Sequence, residues 1–251
     1  MPPKQLKTVL EAAYGSDFRR HFKGFDTQPL AAASIGQVHR ATAADGTQLA
    51  IKIQYPGVRA AIDSDLDNAA ALIRWSGMMP PELDLGPLMT EARLQLHEEA
   101  DYAREGSYLA RFAELLEGDP RFVVPTFHPD LSTGDALAMS YEPSAPIETL
   151  AEAPADVRDS AMTALIELCL RELFEFRMMQ TDPNFANYRW RPETGQIVLL
   201  DFGATREIGR DLAAGHLDLL HAGLARDRDG VLAALEGLGF VRSGLAQHHR
   251  T

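Results

Sequence analysis

The chain has 251 residues, 45% hydrophobic and 24% charged, the balance of a folded protein with one large or two modest domains rather than a disordered chain. Asp and Glu number 36 against 24 Lys and Arg, a net charge of −12, which argues against nucleic acid as a partner because phosphate neutralisation needs basic clusters. One cysteine, Cys169, allows no internal disulfide, and neither an 18-residue apolar run nor an N-terminal apolar signal core is present.

In chain order, residues 4–22 read as a helix with Leu6, Val9, Leu10 and Ala13 on one face. Residues 37–43 and 47–54 read as strands around Asp45-Gly46, a hairpin signal. Helices are expected over 58–76 and 86–117, separated at Pro80-Pro81. Apolar runs at 122–127 and 136–141 suggest two more strands. Residues 155–177 give the strongest helical pattern, followed by a polar loop over 178–188, the strand Ile197–Leu200, and helix to about 238. Strands come early and helices late, so the expected class is α+β: a small β-rich N-terminal lobe over 1–142, with inserted helices, and a helical C-terminal lobe over 143–251.

Four segments carry residue types suited to phosphoryl chemistry. Pro29–His39 is a loop of small residues that lets backbone N–H groups approach phosphates, or else a turn packed by alanines. Leu49-Ala-Ile-Lys52 places a lysine in an apolar strand, where an ammonium needs a partner; the tetrapeptide is close to the nucleotide-binding lysine strand of protein kinases. Asp182 and Asn187 stand five apart, the catalytic-loop spacing in which Asp orients the acceptor and Asn binds metal, although Gln180-Thr181 stands where His-Arg is usual. Leu200-Asp201-Phe202-Gly203 ends a strand with a metal-binding Asp pattern. Each has a bland reading alone, as a turn, an edge lysine, an Asx turn or a strand end. Together their order and spacing point to a protein-kinase-like bilobal fold.

The same residues resemble a family. Ala31-Ala-Ala-Ser-Ile-Gly-Gln-Val-His39, Lys52-Ile-Gln-Tyr-Pro-Gly-Val58, Gln180-Thr-Asp-Pro-Asn184 and Leu200-Asp-Phe-Gly-Ala-Thr-Arg-Glu207 are similar to the UbiB family of atypical kinase-like proteins (aarF-domain kinases), in its coenzyme Q-biosynthesis type, over about residues 2–240. The resemblance implies ATP binding with Mg2+, ATPase activity and support of ubiquinone production, by a cytoplasmic protein peripheral to the inner membrane. It implies lipid or quinone-precursor contact and ubiquinone-biosynthesis proteins as partners. It assigns nucleotide contact to Ala33, Ser34 and Lys52, an adenine-reading hinge to Met139, Ser140, Tyr141 and Glu142, the catalytic acid to Asp182, and Mg2+ to Asn187 and Asp201. The family's Glu-x-Asp motif falls on Glu99-Ala-Asp101, and a further glutamate on Glu105; one pairs with Lys52, with Glu105 favoured over Glu99, unless the run is a solvated helix face. It also implies a Lys-x-Gly-Gln helix before residue 1 and a longer helical C-terminus, so a chain truncated at both ends is expected.

Alanines at 31–33 crowd a loop that glycines would let hug the phosphates, and no Ala-Pro-Glu motif or long activation segment follows Gly203. The first points to a different nucleotide pose; the second favours ATP hydrolysis or a small-molecule acceptor over a peptide substrate. The alternatives are a small-molecule phosphotransferase of the aminoglycoside type and a nucleotide-binding scaffold without turnover. Weaker signals have bland readings: His97-Glu-Glu-Ala-Asp101 lacks the second zinc histidine, Asp63-Ser-Asp-Leu-Asp67 starts a solvated helix, Cys169 and Trp75–Met79 are core (the latter otherwise an apolar patch for a membrane), and His248-His249 is a disordered end.

Overall fold

A computed structural model describes residues 1–76, 85–182 and 184–241. The described residues group into two packed units, drawn from 1–153 with 182–204 and from 154–181 with 205–251. Packing groups 182–204 with the earlier unit and divides the chain after Ala153.

In the first unit, helix α1 (Pro3–Tyr14) stops well before residue 22, because Gly15 takes φ 84 and closes the last turn through its N–H on Glu11 O. The chain then enters a strand that periodicity did not suggest. Strand β1 (Phe22–Ala33) pairs with β2 (Gly36–Ala43), β2 with β3 (Gln48–Gln54), and β3 with β5 (Ala136–Ser140), all antiparallel, in the order β1-β2-β3-β5. Side chains of a strand alternate between faces. Leu49, Ile51 and Ile53, all fully buried, join Leu6, Val9, Leu10, Phe18 and Phe22 in one core, so Lys52 and Gln54 fall on the opposite face.

Helix α2 (Val58–Ser76) is followed by two helices, not the single one expected over 86–117. Helix α3 (Leu85–Glu99) ends, and α4 (Tyr102–Leu115) restarts with Asp101 as its N-cap, accepting the Arg104 N–H at 3.0 Å. The carbonyl of Ala100 at this break accepts from Gln54 Nε2 at 2.7 Å and from the Arg59 guanidinium, which ties the break to β3 and α2. Between α2 and α3, Arg93 bridges Asp63 and Asp67, and His97 meets Asp63; the aspartate run is an exposed, ion-paired face within α2 rather than the start of a helix. Trp75 is 87% exposed rather than core, whereas Gly77–Met79 lie outside the described residues.

The expected strand 122–127 shortens to β4 (Phe122–Val123), which joins β6 (Ala145–Pro146), β8 (Tyr188–Arg191) and β9 (Gln196–Leu199) in a second sheet ordered β4-β9-β8-β6. Most of that sheet is one antiparallel hairpin, β8–β9, within 182–204.

In the second unit, α5 (Ala155–Arg171) gives way to a π-helical turn over Glu172–Phe176 instead of continuing to 177, and Arg177 reverses the chain at φ 51. The expected polar loop contains strand β7 (Met178–Gln180), paired antiparallel with β10 (Thr205–Glu207); α6 (Arg210–Leu224) and α7 (Arg228–Gly237) complete the unit. The buried stripe of α5 is Ala161, Ala164 and Leu168, and Cys169, about 100° further round the helix, is exposed rather than core. His248 and His249 lie outside the described residues.

Candidate functional site

Lys52 is the centre of the site. Its Nζ lies 2.7 Å from Glu105 Oε1 and 3.0 Å from Asp201 Oδ2, and the lysine and Glu105 side chains are 8% and 2% exposed. Helix α4 brings Glu105 into place because the residue after it is Gly106: a Cβ there would lie 2.5 Å from the Phe127 ring. Burial works against the charge on Lys52, but Glu105 and then Asp201 outweigh it and hold the ammonium above the ordinary lysine range. Burial pushes Glu105 up despite the lysine, while Asp201, against its own burial, is held down by Lys52 and the Gly203 N–H.

The Asp-Phe-Gly segment is locked from both sides. Phe202 is buried and packs against Phe112 with the rings tilted and their centroids 4.9 Å apart. Asp201 Oδ1 accepts the Gly203 N–H at 3.0 Å, and the Gly203 carbonyl accepts from Arg104 at 2.8 Å. Asp201 keeps 36% of its side chain exposed, so one flank of the carboxylate is open to a ligand.

Asp182 and Asn187 are joined directly: Asn187 Nδ2 donates to Asp182 Oδ2 at 2.8 Å. Asn184, not Asp182, makes the Asx turn of this segment, accepting the Ala186 N–H at 3.0 Å. The β8–β9 register pairs Tyr188 with Leu199, and Leu200 N–H donates to Asn187 O at 2.9 Å. That pairing sets Asn187 beside the residue preceding Asp201.

The small-residue loop is a tight hairpin. Ala31, Ala32 and Ala33 pair with Val38, Gln37 and Gly36, leaving only Ser34 and Ile35 in the turn. Neither takes a positive φ, so the turn lacks the twist that suits a two-residue hairpin and leans on outside support. Ser34 Oγ donates to Glu99 Oε1, and Ile35 O accepts the Tyr55 N–H. Gly36 must be glycine, since a Cβ would lie 2.2 Å from Ile53 O. Of the two glutamates considered for Lys52, Glu105 takes the lysine and Glu99 takes the serine. In the 139–142 segment, Ser140 N–H donates to Thr126 O, Tyr141 N–H to Gln48 O, and Ser140 Oγ to Glu142.

Sequence reasoning missed Arg104, which holds the Gly203 carbonyl, and Tyr102, whose ring centroid lies 5.9 Å from Lys52 Nζ. Both lie in the first turn after Asp101, and reading that aspartate as an N-cap would have exposed them.

Among the described residues no group of three or more His, Cys, Asp or Glu side chains is arranged to hold a metal ion by itself. Mg2+ needs no such cage: it takes one or two carboxylates, water and substrate phosphates. Asp201 and Asn187 offer the hard oxygen donors this requires, and the Asn187 amide nitrogen is already engaged with Asp182, which leaves the amide oxygen as the atom it could offer an ion. The residues present fit the ion.

The ABC1 atypical kinase-like domain family matches residues 1–235. The chain is 38% identical over 241 residues to the mitochondrial atypical kinase COQ8 of Saccharomyces cerevisiae, covering 96% of this chain and 48% of that one. It is 39% identical to the mitochondrial atypical kinase COQ8B of Rattus norvegicus, at 96% and 46% coverage. The chain therefore spans about half the length of these curated relatives. Rv3197 of Mycobacterium tuberculosis, solved with erythromycin, aligns at a TM-score of 0.79 and 27% identity over 97% of this chain and 62% of that one. The fold is kinase-like α+β.

Proposed function

The chain belongs to the ABC1 atypical kinase-like family, and we propose that it binds ATP with Mg2+ and hydrolyses it in support of ubiquinone production. The observation that carries this reading is the buried Lys52, held between Glu105 and Asp201. A buried ammonium with two carboxylate partners is costly to build for stability alone; it presents a fixed positive charge to phosphate oxygens.

In this reading Lys52 binds the phosphates, with Glu105 fixing its position, and the Ala33–Ser34 hairpin tip covers them. Asp201 and Asn187 hold Mg2+, which when bound supplies Lewis acidity to the phosphate oxygens. Asp182, oriented by Asn187, accepts a hydrogen bond from the attacking hydroxyl or water and takes its proton. Backbone groups of Met139–Glu142 read the adenine. Water or a small acceptor is favoured over a peptide, because only residues 204–209 separate Gly203 from α6, with β10 among them. No helix among the described residues is long and apolar enough to cross a membrane. Contact with a quinone precursor in lipid is peripheral in this proposal.

Phosphate release and thermal shift test it together. Mg-ATP should raise the melting temperature, as any ligand selective for the native state does. Asp201→Asn should lose most of that shift, and Asp182→Asn should bind nucleotide yet release roughly a hundredfold less phosphate. Equal shifts in wild type and Asp201→Asn overturn the metal assignment. Nucleotide binding with no more turnover than Asp182→Asn means a scaffold.

A further inference from the structure

The chain leaves the second unit at Thr181, runs through the first as residues 182–204, and returns at Thr205. That excursion carries Asp182, Asn187 and Asp201. Its stem is the ribbon β7–β10, and the pair at the base of the excursion is Gln180 with Thr205. A two-stranded ribbon leaves outward-facing N–H groups that need partners elsewhere when buried. At Gln180 the partner is Glu172, whose Oε2 accepts the N–H at 3.0 Å in a buried setting.

Glu172 is itself 3% exposed and opens the π-helical turn 172–176, a rare local widening that recurs at functional sites. The left-handed Arg177 then folds the chain back so that β7 runs past the carboxyl. A buried carboxyl is retained here where an apolar side chain would cost less.

We propose that Glu172 is a positioning residue: by holding the Gln180 N–H it fixes the stem of the 182–204 excursion and so the setting of Asp182, a role that rests on the ATPase reading above. Two variants separate this from simple packing. Glu172→Met removes the acceptor but fills the space, so the fold is expected to survive. Glu172→Gln keeps an acceptor.

The readouts are hydrogen exchange of the Gln180 amide, kcat and KM for ATP hydrolysis, and melting temperature. Glu172→Met should melt within about 5 °C of wild type, lose protection at Gln180, and lose roughly tenfold or more in kcat with KM for ATP little changed, since small misplacement of a reacting group is costly. Glu172→Gln should restore both protection and kcat. Wild-type exchange and kcat in Glu172→Met overturn the assignment, as does a kcat loss shared by Glu172→Gln or matched by lost nucleotide affinity. If Glu172→Met does not fold, Glu172→Gln decides: retained protection and turnover sustain the clamp, and loss of both overturns it. If wild type hydrolyses no ATP at all, the ATPase reading fails by itself, and the stem contact stands or falls on Gln180 exchange.

Discussion

A lysine in an apolar strand was the most informative single residue, because burial forces it to have partners. Glu105 and Asp201 are those partners, and the triad makes a pH-dependent prediction. In Lys52→Met, Glu105 is left buried without its counter-charge, so its carboxyl rises further above the ordinary carboxylate range. A raised carboxyl contributes stability that is full below the unfolded value and lost as pH rises through the folded one. Lys52→Met should therefore lose stability more steeply than wild type as pH rises above the ordinary carboxylate range, measured by urea midpoints. Breaking a buried pair from one side costs about 3–5 kcal/mol, whereas replacing both partners is often neutral; Lys52→Met with Glu105→Leu should recover much of the loss and flatten the slope. An equal pH slope in wild type and Lys52→Met would show that Glu105 does not depend on the lysine.

At the scale of elements, the motifs were legible and the joints between them were not. The strand-like runs 37–43 and 47–54 around the Asp45-Gly46 turn correspond to β2–β3, and the Asp182/Asn187 spacing marked two side chains that do meet. The expected helix 86–117 concealed the break at Asp101 because Glu98, Glu99 and Asp101 read as one charged face; the cap depends on a local side-chain-to-backbone bond that periodicity does not encode. Strand β1 was missed because its burial pattern is nearly all exposed, leaving no alternation to find. At its end, Ala33→Gly frees the hairpin backbone and should change nucleotide affinity by roughly two- to fivefold, given the small entropic effect of such a change; unchanged affinity and unchanged self-phosphorylation would assign the alanines to packing. The π turn left no sequence signal but sets a second pH dependence. Burial, opposed by the Gln180 N–H, holds the Glu172 carboxyl up to about 8 from 4.5. Its contribution is full below 4.5 and is lost as pH rises through about 8. His39 is shifted downward by burial, so its effect opposes this one below its ordinary value and adds nothing above it. Between about pH 7 and pH 8 wild type should lose on the order of 1 kcal/mol that Glu172→Gln does not lose. Parallel denaturation curves for the two proteins across that interval would remove Glu172 from the account.

At the largest scale, the net charge of −12 over these 251 residues bears on what membrane contact they can make. Anionic lipid repels an acidic surface, and each basic residue near such a surface is worth only about 1 kcal/mol, so electrostatic docking is disfavoured. What the first unit does present is apolar: Trp75 at 87% exposure and Leu72 at 64% on α2, with Leu88 at 62% on the packed neighbour α3. Tryptophan suits a lipid interface because its ring is apolar and its N–H can stay wet. If the proposed peripheral contact uses these residues, sedimentation with phosphatidylcholine vesicles should persist at raised salt and should not increase when anionic lipid is added. Trp75→Ser should weaken it by roughly tenfold, the order expected from about 1.4 kcal/mol of lost apolar burial, with ATP turnover in lipid-free solution unchanged. Binding that grows with anionic lipid and falls with salt would instead place the contact on a local basic patch. Turnover that is the same with and without vesicles, in a protein that does not sediment with them, would leave the ATPase and remove the membrane from its function.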